Sequence, residues 1–503
     1  MDRREFLKGT AATAALALTG GLSTARAQMD DFAALDGMAQ AKLVRDGSVT
    51  PLELVDAAIG RIERLNPKLN AVVFERFEKA RAEAQGQLPD GPFRGVPYLI
   101  KDLSALEGEP LTYGARLFER NVAKADEGDV RLAKAAGFVM VGKSNTPEFG
   151  LLPTTESVLL GDAANPWNTD YHTGGSSGGA AAAVAAGMVP CANAGDGGGS
   201  IRIPASVCGL VGLKASRDRL AAQNPSRLPV SLSVRMAVTR TVRDTAQILN
   251  ATEKKGDNAT FDSVGYVAGP SPRRLKIAYY TETGIGTDAD SEVKSALEDT
   301  AQLCLDLGHE VIDSTPPFDA RAMEEHFMAL WAGGVVPIVN NARLIGLRQW
   351  RMIGKRGGLE PWTIGLAEFF EERERQNPGQ FDRSVAFFKE AEAIYADYFN
   401  KFDVILTPVL RKPPLRLGEL GADLPFEQMY ERTLDYSVYT GNYNGVGNCA
   451  ISLPLGWSSN GLPIGSQFAA RTGDERTLLE LSYELEQARP WADKWAPYSA
   501  VRM

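Results

Sequence analysis

Near the N-terminus apolar residues recur at helical spacing. Further along they gather into short unbroken runs, and that change of period is the first guide to the fold. Residues 32–45 carry an amphipathic helix pattern that Gly47 stops. Thr50-Pro51-Leu52-Glu53 reads as a capping box with proline at the first helical position, and Leu52, Val55, Ile59 and Ile62 give the following helix a buried face. Asn66-Pro67 is expected to end that helix. Residues 70–74 then read as a short strand and 75–85 as a charged helix. The runs at 96–100 and 138–141 read as interior strands leading into Lys101-Asp102 and Gly142-Lys143. Residues 180–189 form an alanine-rich helix pattern, whereas 165–173 are polar and turn-like. Alternating strand and helix signals predict an α/β core whose strands are largely buried.

From 321 to 400 the pattern becomes helices rich in aromatics, among them Phe327, Trp331, Trp350, Trp362, Phe369, Phe388 and Tyr395. Most are expected to be core, with a few shaping a substrate mouth. The apolar strand pattern resumes at 403–406, 450–454 and 465–469. The expected organisation is a single domain over 28–503. N-terminal helices occupy 28–90, a core 91–320, a helical insertion 321–400 and a return of the core 401–503.

Residues 1–27 stand apart from this fold. Arg3-Arg4 followed by Phe6-Leu7-Lys8, an apolar run and Ala25-Arg26-Ala27 read as a twin-arginine export signal with its cleavage site. The apolar run is shorter than the ~20 residues a membrane span requires. No stable membrane insertion is expected, and the mature protein is placed outside the cytoplasm. The net charge of −9 and the lack of a basic stripe argue against nucleic acid as a partner. The four cysteines show no metal-ligand spacing, so no metal or cofactor is expected, and they read as buried free thiols.

Chemistry concentrates in three places. Gly174-Gly175-Ser176-Ser177-Gly178-Gly179 permits close backbone approach to a ligand. In Gly197-Gly198-Gly199-Ser200, successive N–H groups can converge on one anion. Lys101 ends an apolar strand, where a dry setting would make its amine a base. Taken singly, each has a plain structural reading: a flexible turn, a tight loop, a solvated strand end.

Their joint spacing decides the matter. The segment 174–214, GGSSGGAAAAVAAGMVPCANAGDGGGSIRIPASVCGLVGLK, closely resembles the signature of the amidase signature family. Gly95-Val96-Pro97, Lys143-Ser144-Asn145-Thr146-Pro147-Glu148, Asn165-Pro166-Trp167-Asn168 and Gly461-Leu462-Pro463-Ile464-Gly465 also match, in order. The resemblance implies a central mixed, twisted sheet covered by helices on both faces. It implies a catalytic triad of Lys101, Ser176 and Ser200, with Ser200 the nucleophile and Ser176 preceded by a cis peptide. Gly197, Gly198, Gly199 and Ser200 would supply the oxyanion-hole amides, with Ser177, Asp196 and Arg202 supporting the loops. The implied substrate is a small amide (aryl, aliphatic or cyclic, as in nylon-related hydrolases) or a carbamate, and a homodimer is common in the family. Transamidosome subunits share the signature, but an export signal argues against a role in charging transfer RNA. The chain departs from the family at Leu213-Lys214-Ala215-Ser216 and Asn448-Cys449-Ala450, which bears on the pocket wall rather than on the triad.

Three other readings compete. Gly174 to Gly178 fits the G-x-S-x-G elbow of an esterase using Ser176 with a histidine base, though only His172, His309 and His326 are available. A phosphate-binding glycine loop before the 180–189 helix lacks the GK[ST] continuation. A binding-only family member is disfavoured because all three triad positions are filled.

Overall fold

The computed structural model describes residues 32–221, 230–348 and 358–503. The export signal therefore lies outside the described residues, as does Trp350. The strands in chain order are β1 (Val72–Glu75), β2 (Pro97–Lys101), β3 (Val139–Ser144), β4 (Glu156–Ser157), β5 (Gly161–Asp162), β6 (Ala164–Asn165), β7 (Asn168–His172), β8 (Cys191–Asp196), β9 (Val211–Lys214), β10 (Val234–Thr239), β11 (Lys276–Tyr279), β12 (Glu310–Asp313), β13 (Val404–Pro408), β14 (Cys449–Trp457) and β15 (Pro463–Ala470). Eleven of them form one sheet in the order β1-β3-β2-β8-β10-β9-β14-β15-β13-β11-β12. Parallel pairs flank a central antiparallel block and the edge strand β1 pairs antiparallel with β3, so the sheet is mixed as expected. β2, β3, β9 and β13 are buried along their whole length, which is why 96–100, 138–141 and 403–406 read as apolar runs rather than as alternations.

The helices begin where the sequence signals them. Thr50 and Glu53 form the capping box reciprocally: Glu53 N–H donates to Thr50 Oγ1 at 3.2 Å, and Thr50 N–H donates to Glu53 at 2.8 Å. That helix, Pro51–Leu69, runs past Pro67 instead of ending before it. Proline removes one donor from the last turn, but the spiral continues until Asn70 adopts the left-handed conformation at φ 46°. Asn66 Oδ1 then accepts the N–H groups of Ala71 and Val72, each at 2.8 Å, and turns the chain into β1.

Two further differences bear on the site. The alanine-rich helix spans Gly178–Ala185, starting inside the glycine cluster and ending earlier than the apolar run suggests. Gly187 at φ 72° terminates it, with Met188 N–H returning to Ala183 O at 2.9 Å. The polar stretch before the cluster, read as turn-like, contains the hairpin β6–β7, which stands outside the main sheet. Between β12 and β13 lie the helices Ala320–Arg348, Pro361–Gln376 and Gln380–Tyr398. Phe388 and Tyr395 are core there, whereas Phe327, Trp331 and Trp362 border the cavities described below. Among the described residues no helix is long and apolar enough to cross a membrane.

Candidate active site

β2 and β8 are parallel neighbours, registered at Leu99 and Ala192, so their C-terminal ends open on the same edge of the sheet. One end delivers Lys101, and the other runs into the loop Gly197–Ser200. The glycine-serine cluster enters from the side and starts the helix Gly178–Ala185, which packs on both strands. Side chains would block this approach. A Cβ at Gly175 would strike Thr154 O, and one at Gly179 would strike Asn145 N.

Lys101 is 2% exposed. Its Nζ lies 2.7 Å from Ser176 Oγ and 2.9 Å from Ser177 Oγ. No carboxylate pairs with it among the described residues. Burial pushes its pKa well below the ordinary lysine range and the positive charge of Arg235 adds to this, against a smaller opposing pull from Asp196. Burial thus favours the neutral form of an amine that is hydrogen-bonded to two hydroxyls. The peptide between Gly175 and Ser176 is cis. Ser200, 7% exposed, opens on the same cavity as Lys101 and Ser176.

The loop carrying Ser200 is built around Asp196. Its carboxylate accepts from Gly199 N–H at 2.8 Å, Ile201 N–H at 3.2 Å and both Nε and Nη2 of Arg202 at 2.9 Å. Burial alone would raise this carboxyl, but the Arg202 guanidinium outweighs it and holds the group far below the usual carboxylate range. Arg202 also reaches Thr440 O, Gln467 Oε1 and Asn444 Oδ1, and it is fully enclosed. Asp196 and Arg202, expected to support the loop, thus contact each other and the loop backbone at Gly199 and Ile201. Of the four N–H groups expected as oxyanion donors, that of Gly199 is turned inward to Asp196. The N–H groups of Gly197, Gly198 and Ser200 form no hydrogen bond with the described residues. At φ 131° only glycine suits position 199, where a Cβ would collide with Thr440.

Ser177, expected to support the loop, touches the lysine directly and also exchanges contacts with Gly195 (3.2 Å to its N–H, 3.3 Å to its carbonyl). Sequence reasoning also missed Ser104, Asn193, Gly150 and Arg235. Asn193 and Arg235 are polar residues within buried strands, a signal open to a closer reading. Asn193 Oδ1 accepts from Lys101 N–H at 3.3 Å, and Asp129 ties Asn193 Nδ2 at 3.0 Å to Ser104 Oγ at 2.7 Å. Gly150 backs onto Ser176, so that a Cβ there would lie 2.9 Å from Oγ.

The histidines are engaged elsewhere. His172 is buried; its Nδ1 accepts Gly174 N–H at 2.7 Å and its Nε2 meets Tyr436 Oη at 3.1 Å. Burial lowers its pKa to about 3, so it stays neutral. His309 faces Leu275 and Glu484, and His326 faces Ser384. The elbow reading with a histidine base finds no support here.

The comparisons agree with this architecture. The amidase family model matches residues 53–479, and the model of the twin-arginine translocation signal matches residues 1–20, so the chain carries an export signal. A putative amidase AmiC of Mycobacterium bovis is 38% identical over 479 residues, covering 95% of this chain and 99% of the relative. The 6-aminohexanoate-cyclic-dimer hydrolase of Paenarthrobacter ureafaciens is 35% identical over 487 residues, covering 91% and 95%. Among solved structures, a 6-aminohexanoate cyclic dimer hydrolase superposes with TM-score 0.82 at 32% identity, covering 93% of this chain and 99% of the other. A bacterial aryl acylamidase of the amidase signature family superposes with TM-score 0.78 at 25% identity, covering 93% and 98%. With the fold, the family model and the relatives in agreement, the chain belongs to the amidase signature family and is a hydrolase of carbon–nitrogen bonds.

Proposed function

We propose that the protein hydrolyses a small amide, or a carbamate, through an acyl-enzyme on Ser200. The observation that carries this reading is the buried, carboxylate-free amine of Lys101 at 2.7 Å from Ser176 Oγ. Neutral Lys101 accepts the Ser176 proton as Ser176 takes the proton of Ser200, whose oxygen attacks the carbonyl. The N–H groups of Gly197, Gly198 and Ser200 receive the oxyanion, each such donor contributing about 3–4 kcal/mol. Ser176 then returns a proton to the departing nitrogen and the amine leaves. Water enters on the same side, gives its proton to the relay and releases the acid.

Labelling with a fluorophosphonate, located by mass spectrometry, tests the assignment. The adduct is expected on Ser200 and lost in Ser200→Ala. An adduct on Ser176 that survives Ser200→Ala would overturn it in favour of the elbow reading. Assays on anilides, aliphatic amides, cyclic amides and aryl carbamates then rank the substrate classes.

A further inference from the structure

Two chambers meet at Ser200. The first, about 830 Å³ with its mouth, is walled by Phe318, Met323, Phe327, Met328, Trp331 and Trp362, and Glu324 is the single charged residue lining it among the described residues. The second, about 1520 Å³ with its mouth, holds Lys101, Ser176, Ser104, Asn193 and Arg235. Gly150, Leu151 and Trp331 border both.

The proposed proton path fixes which half of a substrate goes where. The departing nitrogen takes its proton from Ser176, so the amine half must lie beside Ser176. Ser176 and Lys101 line the second chamber, beside Tyr113, Phe118 and Phe149, and not the first, aromatic chamber. The acyl half is then left with the aromatic chamber, whose walls suit an apolar group and whose Glu324 disfavours an anionic one.

Arg235 gives the amine side its selectivity. Its Nη1 is held by Glu127 at 2.6 Å, by Ser104 Oγ at 3.1 Å and by Asp129 at 3.5 Å. The side chain remains 32% exposed at the cavity wall, and its Nε and Nη2 donate to no described residue. Two carboxylates on one nitrogen fix the guanidinium plane and leave the Nε–Nη2 edge, the edge that receives a carboxylate side-on through two parallel hydrogen bonds. We propose that this edge binds a carboxylate carried by the leaving amine, so that the preferred substrates are N-acyl amino acids with an apolar acyl group. The inference rests on the Ser200 acyl-enzyme reading.

The experiment compares kcat/KM for N-benzoylglycine, N-benzoyl-4-aminobutyrate and N-benzoyl-6-aminohexanoate with N-ethyl-, N-butyl- and N-hexylbenzamide. At the best length the native enzyme is expected to favour the acid at least tenfold. Arg235→Gln should reduce that ratio to about two or less, and Arg235→Lys should leave an intermediate ratio. Because the ratio is taken within each variant, a loss common to both substrates cancels. If Arg235→Gln does not fold, Arg235→Lys, which keeps a cation against Glu127 and Asp129, decides: its ratio must fall. An enzyme that labels on Ser200 but shows no acid preference at any length, or keeps the preference in the variants, overturns the inference alone. Absence of the Ser200 label overturns the reading beneath it.

Discussion

Arg202 closes on both oxygens of Asp196 with neither side chain exposed, and that pair holds the loop on which Ser200 stands. Removing one partner strands the other without solvent, at a cost of about 3–5 kcal/mol. Arg202→Met is therefore expected to lower the melting temperature by several degrees and abolish labelling of Ser200. Asp196→Asn, which keeps an acceptor for Gly199 N–H, should be milder. Thermal unfolding and the labelling rate check both.

The two hydroxyls on Lys101 are expected to differ in importance. Ser176→Ala removes the proposed relay, and kcat should fall about 10³-fold or more. Ser177→Ala leaves Ser176 in place and removes an orienting hydrogen bond to the amine, worth roughly 1–2 kcal/mol, along with the contacts to Gly195, and kcat should fall about tenfold. Steady-state kinetics at one pH separates the two; equal losses would show that Ser177 shares the relay.

Because burial and Arg235 lower the Lys101 pKa, the amine should be neutral well below the ordinary lysine range. As pH falls through the lowered value it becomes protonated and can no longer accept a proton. The kcat/KM profile is expected to show an acidic limb governed by this group. Arg235→Gln should move the limb upward in pH, since a neighbouring positive charge is lost.

His172 makes a prediction about stability. Its folded pKa of about 3 lies below the ordinary value of 6.5, so on acidification the unfolded chain takes up the proton first. Stability is unaffected above 6.5 and falls between 6.5 and about 3, by up to about 1.4 kcal/mol per pH unit. His172→Gln, which retains an acceptor for Gly174 N–H, should flatten that decline. Melting temperatures across this range measure it.

Gly150→Ala is expected to reduce kcat sharply with little change in KM for a substrate held by the aromatic chamber. A methyl at 2.9 Å from Ser176 Oγ displaces the hydroxyl from Lys101, and φ 71° already disfavours a side chain there.

Much of this was legible in the chain because burial erases alternation. Strands such as Pro97–Lys101, covered on both faces, show as apolar runs, and the capping box at Thr50 marks its helix directly. The β6–β7 hairpin was hidden because its exposed polar strand shows no apolar period. Pro67 misled because a proline ends a helix only when the residues beyond it stop as well. At the site, residue type and spacing pointed to Lys101, Ser176 and Ser200 but gave no direction for an N–H bond. That is why Gly199 was grouped with its neighbours although it faces Asp196. Arg235 went unread because a charge inside a strand acquires meaning only once its sheet neighbours are known.

Cys191, Cys208, Cys304 and Cys449 are all buried and unpaired. A fold sealed without sulfur bridges can be completed in a reducing compartment. It needs no oxidant on the far side of a membrane, which suits a leader of the kind that hands over finished proteins. Burial also raises the Cys208 thiol and leaves it inert, so arrival in an oxidising space gives these sulfurs nothing to react with.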